Sequence, residues 1–123
     1  MTMTELVSAE AYTALPLQTA DFRIPYGNDP SQFGDLFLPN GDGPHPNVFL
    51  LHGGCWRAQY GLEPMGQFAR TLANRGVAVW SLEYRRLGNG GGWPNTFLDV
   101  ANGADKLREL ADAHNLDLSR VVV

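Results

Sequence analysis

The most pointed chemistry in the chain lies in His52, Gly53, Gly54, Cys55 and Trp56, entered from the apolar run Val48-Phe49-Leu50-Leu51. A run of that kind reads as a buried strand. Two glycines directly after it mark a place where the backbone turns sharply or approaches a ligand closely. A strand end built this way delivers bare backbone N–H groups to a site, and such donors stabilise an oxyanion as it forms in acyl transfer. Gly54 and Cys55 are the candidate donors through their backbone N–H groups, with Gly53 giving the turn its freedom. Loss of one such donor costs about 2.7–4 kcal/mol of transition-state stabilisation.

Other residue types call for other chemistries, and most fail on context. Cys55 carries the chain's one thiol, but a reactive cysteine needs a lowered pKa and a paired base, and the sequence shows neither. A small side chain in a tight loop is the better account. Trp56 and Trp93 fit a substrate-binding wall or simple packing equally well; their place after two successive strands puts both loops at the carboxyl ends of the sheet, where open α/β folds hold ligands. Gly88-Asn89-Gly90-Gly91-Gly92 is followed by Trp93 and Pro94, which breaks a dinucleotide fingerprint, and no G-K-[ST] follows a glycine loop. Ser8, Ser31, Ser81 and Ser119 all stand outside a G-x-S-x-G context. His45 falls in a proline-rich loop and His114 at a helix end, where a cation suits the dipole. Asp99, Asp105 and Asp112 share a helix and read as solvation and capping. No His/Cys/Asp cluster has metal-ligand spacing, and no cofactor is implied.

The elements that must position these residues follow from periodicity and turn chemistry. Residues 1–16 are polar and alanine-rich and read as an arm or short helix. Residues 17–24 form a first strand, stopped by Pro25-Tyr26-Gly27. Asn28-Asp29-Pro30-Ser31 is a turn, and residues 34–39 form a second strand, paired antiparallel with the first. Residues 47–51 form a third strand without polar alternation, as in a parallel sheet covered on both faces. Leu62, Met65, Ala69, Leu72 and Ala73 recur at helical spacing, and Gly76 caps that helix. Residues 77–82 form a fourth strand, completing a right-handed parallel crossover unit. A glycine-rich loop over 87–94 leads to a second helix marked by Phe97, Val100, Ala101, Ala104, Leu107 and Ala111. Asn95 or Thr96 is its N-cap, and Asp99 sits near the positive end of its dipole. Residues 115–119 break the helix, and Arg120-Val121-Val122-Val123 starts a fifth, β-branched strand that belongs in a buried sheet.

Composition bounds the partners. The 123 residues suffice for one domain and are too few for two. Apolar residues make up 44% and charged residues 18%, an ordinary globular balance. A net charge of −4 argues against nucleic acid or an anionic membrane surface. The N-terminus lacks a basic region followed by an apolar one, and no apolar run approaches the roughly 20 residues of a membrane span. With a single cysteine there is no internal disulfide framework, and the cytoplasm is the expected compartment.

The H-G-G-x-W stretch at 52–56 resembles the oxyanion loop of the esterase and kynurenine-formamidase-like branch of the α/β-hydrolase superfamily. Tyr84-Arg85 after strand four, and Gly91-Gly92-Trp93-Pro94 with Phe97, Asp99 and Val100, resemble the corresponding segments of that branch. The resemblance extends from about Leu17 to Val123. It implies an α/β fold: a mostly parallel sheet in the order one, two, four, three, five, with an antiparallel N-terminal strand pair and crossover helices. Residues 17–123 would then be the N-terminal half of such a domain, ending before the nucleophile elbow. The catalytic base comes last in the chain in that superfamily, so His52 is expected to shape the loop by hydrogen bonding rather than to act as the base. The implied function is serine-dependent hydrolysis of a carboxylic ester or a formamide, with a small-molecule ester or amide as partner, in which this chain supplies the oxyanion loop and binding residues His52, Gly53, Trp56 and Trp93, and no nucleophile. A non-catalytic α/β module, binding a small ligand or pairing with another chain through the bare edge of strand five, stays open.

Overall fold

The computed structural model describes residues 6–123. Residues 1–5 of the N-terminal arm lie outside that description. The elements in chain order are α1 (Ala9–Thr13), β1 (Phe22–Pro25), β2 (Phe33–Phe37), β3 (His45–Leu51), a 3-10 turn (Glu63–Met65) running into α2 (Gly66–Asn74), β4 (Ala78–Leu82), α3 (Asn95–His114) and β5 (Leu116–Val122). The sheet order is β1-β2-β4-β3-β5. β1 and β2 pair antiparallel, β2 joins β4 antiparallel, and β4, β3 and β5 run parallel. This is the expected α/β architecture, with its antiparallel strand pair leading into a parallel section.

The two faces of the sheet explain why these sequences form these elements. β4 is buried throughout, as a strand covered on both sides must be. Trp80 and Leu82 pack with Leu36 and Phe49 against Leu107 and Leu110 of α3. Val79 packs with Phe37 against Ala69 and Ala73 of α2. α3 therefore covers one face and α2 the other, a three-layer arrangement. Trp80 needs a hydrogen-bond partner once buried, and its indole N–H donates to the Gly103 carbonyl at 3.0 Å.

Several boundaries move. The first strand begins at Phe22 rather than at residue 17. Residues 17–21 instead cross α2, where the Asp21 carboxylate accepts from the Leu38 N–H at 2.6 Å and from Arg70. His45 lies buried at the start of β3, not in the preceding loop. The helix expected from Leu62 is broken at Pro64 into a 3-10 turn and α2. Neither Asn95 nor Thr96 is an N-cap. Pro94 occupies that position without a side-chain bond, while the Thr96 hydroxyl accepts from Gly92 N–H and donates to the Arg85 carbonyl. Asn115 takes the left-handed conformation at the end of α3, with φ 54°, and so turns the chain directly into β5 at Leu116. The residues expected as a helix break are therefore already strand. β5 pairs with β3 and forms the bare edge that the expected strand order implies, so Val121, Val122 and Val123 are exposed along it and do not lie in a buried sheet centre. No helix among the described residues is long and apolar enough to cross a membrane.

Candidate functional site

β3 leaves the sheet at Leu51, and His52 is the first residue beyond it. Its ring is buried and stacks on Tyr84, with centroids 4.5 Å apart and planes 9° from parallel. The Tyr84 hydroxyl donates to the His52 carbonyl at 2.7 Å. His52 Nε2 lies 2.7 Å from Glu83 Oε1, and Nδ1 lies 2.8 Å from the Gly53 carbonyl oxygen. Both ring nitrogens therefore face oxygens, and neither is free to serve as a base toward Cys55 or a substrate.

Glu83, directly after β4, is the fixed point of the loop. Its buried carboxylate also accepts from the Tyr84 N–H and the Leu62 N–H, each at 3.1 Å, and lies 3.4 Å from Arg86 Nε. Burial pushes the Glu83 carboxyl up, but the His52 hydrogen bond and charge, the Tyr84 N–H and Arg86 together hold it below its ordinary value. A second buried carboxylate, Asp99 on α3, braces the same segment from the other face. It accepts from Arg85 Nε, Arg85 Nη2, the Arg85 N–H and Gln32 Nε2, at 2.8–3.0 Å. Burial likewise raises Asp99, and Arg85 and Gln32 more than reverse it. Asp99 is fully buried, which corrects its reading as a solvated or capping residue.

The loop itself is wound in the left-handed region. Gly54, Cys55 and Trp56 have φ of 124°, 54° and 59°. A Cβ on Gly54 would come within 2.4 Å of Tyr60 Cβ, so only glycine fits there. Left-handed non-glycine residues cost about 1–3 kcal/mol each and persist only where their surroundings over-determine them. Here the determinants are backbone bonds. Arg57 N–H donates to the Gly54 carbonyl, Leu87 N–H to the Trp56 carbonyl at 2.6 Å, and Ala58 N–H to the Leu87 carbonyl at 2.9 Å. Arg86 Nη1 adds bonds to the carbonyls of Ala58 and Tyr60. The loop after β3 is thereby fastened to the loop after β4. The N–H groups of Gly53, Gly54, Cys55 and Trp56 donate to no acceptor among the described residues.

Two hollows adjoin the loop. His52, Gly53 and Gly54 line an open cavity of about 480 Å³ together with Tyr12, Thr13, Leu15, Pro16 and Leu17. Trp56 lines a groove of about 240 Å³ with Trp93, Phe97 and Leu87. Trp56 and Trp93 both meet Phe97 edge-on, at 5.8 and 5.3 Å between centroids. Trp93 is 82% exposed and Trp56 53%, so neither is a core residue. Cys55 is also exposed. Among the described residues no three His, Cys, Asp or Glu side chains stand close enough to hold a metal.

A family model described as BD-FAE matches residues 35–123. The chain belongs to the BD-FAE family. The BD-FAE match runs from within β2 through β5 and therefore includes the whole loop. Solved structures agree on the fold. Esterase B from Lactobacillus rhamnosis superposes with a TM-score of 0.73 at 24% identity over 91% of this chain. A bacterial heroin esterase gives 0.71 at 23% identity over 91%. A bifunctional GH43-CE protein from Bacteroides eggerthii gives 0.67 at 27% identity over 80%. The chain spans 38%, 37% and 14% of those three structures respectively. No curated protein matches. The fold is that of an α/β-hydrolase.

The BD-FAE chain thus brings His52, Gly53, Gly54, Cys55 and Trp56 together at one sheet end, with Trp93 across the groove from Trp56. Glu83, Arg86 and Asp99 hold this arrangement, a role that sequence patterning does not assign to them. For Asp99 a signal existed: Thr96, Asp99, Gly103, Leu107 and Leu110 are the buried residues of α3 and recur at helical spacing. Reading the face from apolar residues alone rotated it toward Phe97 and Ala101, which are exposed.

Proposed function

We propose that the 52–56 loop is the oxyanion-binding element of a serine-dependent hydrolase acting on a carboxylic ester or a formamide. The observation that carries this is the pair of unpartnered N–H groups at Gly54 and Cys55, in a loop fastened by the Leu87 bridge, with Gly54 lining a mostly apolar cavity. Donors already fixed before reaction stabilise developing negative charge without a reorganisation cost. The carbonyl oxygen of the substrate would point at these two N–H groups. A serine from a G-x-S-x-G elbow would attack, and a His–Asp/Glu pair would move the proton. The membership in BD-FAE and the esterase neighbours support this reading. Ester and formamide hydrolysis share the same tetrahedral oxyanion, so both remain within the proposal.

The test has two arms. Read past the codon for Val123, the coding DNA is expected to encode G-x-S-x-G within a few residues, and the resulting protein to hydrolyse p-nitrophenyl acetate with sensitivity to a serine-directed phosphonate. The 123-residue chain by itself is expected to hydrolyse that ester no faster than a heat-denatured control. Turnover by the short chain that survives that subtraction and vanishes in Cys55→Ser would refute the assignment and make Cys55 the nucleophile.

A further inference from the structure

The 480 Å³ cavity has one wall that the sheet does not supply. Residues 12–17 cross over the 3-10 turn and the start of α2 and are tied there at two points. The Tyr12 hydroxyl donates to the Pro64 carbonyl at 2.6 Å, and Gln67 Nε2 donates to the Pro16 carbonyl at 2.6 Å. A third tie lies just beyond, where Arg70 donates to the Thr19 carbonyl. So strapped, the segment lines the cavity with Leu15, Pro16 and Leu17, together with Tyr60, Pro64 and Met65. Leu15 is 44% exposed although it lines an apolar hollow, so its apolar surface lacks a protein partner. The size falls in the range of small-molecule sites, about 300–1,000 Å³. The polar end of the hollow is the loop, through His52, Gly53 and Gly54.

We propose that this cavity receives the acyl chain of the substrate, and that the N-terminal segment 12–17 sets the chain length accepted. The class implied is an ester of an unbranched, apolar carboxylic acid of intermediate length, with its carbonyl at the loop and its alkyl tail under the segment. This rests on the oxyanion reading of the loop and adds a substrate class to it. The lining is mostly apolar and its one carboxylate is Glu63, so a negatively charged tail would meet both lost hydration and like charge there. The two clasps fix the wall at a set distance from the loop, so length discrimination follows from geometry rather than from a specific contact.

The experiment titrates the 15N-labelled 123-residue chain with acetamide, butyramide, hexanamide and octanamide, following backbone amide shifts. Amides present the same carbonyl without undergoing hydrolysis. Each methylene that enters the cavity is expected to tighten binding about fourfold, from roughly 0.8 kcal/mol per buried CH₂. Saturable shifts should appear together at Gly54, Cys55, Leu15 and Met65. Leu15→Ser, a change at a half-exposed site, should weaken hexanamide binding about tenfold and leave acetamide unchanged. Tyr12→Phe, which removes one clasp, should flatten the dependence on length. An affinity that does not rise with chain length, with Gly54 and Cys55 still shifting, overturns the cavity assignment and leaves the oxyanion reading intact. Shifts confined to the segment, with Gly54 and Cys55 silent, overturn the oxyanion reading and the orientation built on it. No saturable shift with any amide overturns both.

Discussion

Replacing Glu83 with glutamine is the sharpest test of how the loop is held. The side chain keeps its shape and loses its charge and one acceptor. If the amide nitrogen takes the Oε1 position, it faces His52 Nε2 and the Tyr84 N–H; at the Oε2 position it faces the Leu62 N–H. In either orientation a donor meets a donor, and a buried N–H is left without a partner. The charge also goes, and with it the attraction of Arg86 at 3.4 Å. Breaking a buried pair by altering one member costs about 3–5 kcal/mol. Glutamine retains one acceptor and the packing volume, so the expected loss lies at the low end, about 3 kcal/mol, a large share of the 5–15 kcal/mol typical of a domain. Urea unfolding should show the midpoint falling with an unchanged slope, and the Leu62 and Gly54 amide resonances should move. A loss under about 1 kcal/mol with those resonances in place would refute the reasoning that Glu83 fixes the loop.

The same residue sets a pH dependence whose sign follows from linkage. The folded state holds Glu83 below its ordinary value, so between the two values the unfolded chain binds more protons. Glu83's contribution is therefore complete above the ordinary glutamate value of about 4.3 and is lost as pH falls through the folded value. The stability gap between the parent chain and Glu83→Gln should shrink as the medium is acidified below that value. A gap that stays constant would mean the carboxylate's charge is not what matters.

Two further substitutions separate the loop from its supports. Asp99→Asn removes the charge behind four hydrogen bonds to Arg85 and Gln32 and should cost about 1.5–3 kcal/mol in urea unfolding; because Asp99 reaches the loop only through Arg85 and the segment that follows it, the Gly54 and Cys55 amide shifts should move less than they do in Glu83→Gln. Gly54→Ala places a Cβ within 2.4 Å of Tyr60 and forces φ 124° on an alanine; under the proposed hydrolase function it should cut the kcat of the full-length protein by about 10²–10³ with a smaller change in KM.

The fold was legible wherever burial alone set the pattern. β4 reads as a near-continuous apolar run, interrupted by Ser81 alone, because both of its faces are covered, by α2 and α3. The antiparallel start was legible because Pro25 and the Asn28-Asp29-Pro30 turn leave a strand pair little choice. Boundaries failed where a local polar contact decides them. Residues 17–21 alternate like a strand, yet the alternation serves a segment crossing α2, in which Asp21 meets Leu38 and Arg70 rather than a neighbouring strand. Asn115 looked like the start of a loop. Its tolerance of the left-handed conformation instead turns the chain within one residue, which lengthens β5 to Leu116.

The candidate site was legible in its glycines and illegible in its carboxylates, and the reason is physical. A glycine at φ 124° leaves a mark in the sequence because no other residue type fits. A buried carboxylate leaves none, since Glu83 and Asp99 have the same composition as solvated acids and differ only in what surrounds them. Their partners lie far along the chain: Glu83 meets His52 and Leu62, and Asp99 meets Gln32. Such pairings exist only once β3 and β4 are adjacent, so they follow from the sheet order rather than from any local spacing. The order of dependence is then clear. The sheet places the strand ends of β3 and β4 side by side. Glu83 and Asp99 lock the segment after β4, and that segment, through Leu87 and Arg86, forces Cys55 and Trp56 into a backbone conformation they would not choose. The freed N–H groups at Gly54 and Cys55 are a consequence of that chain of constraints, which is why a change at Glu83, made without touching the loop, is expected to move them.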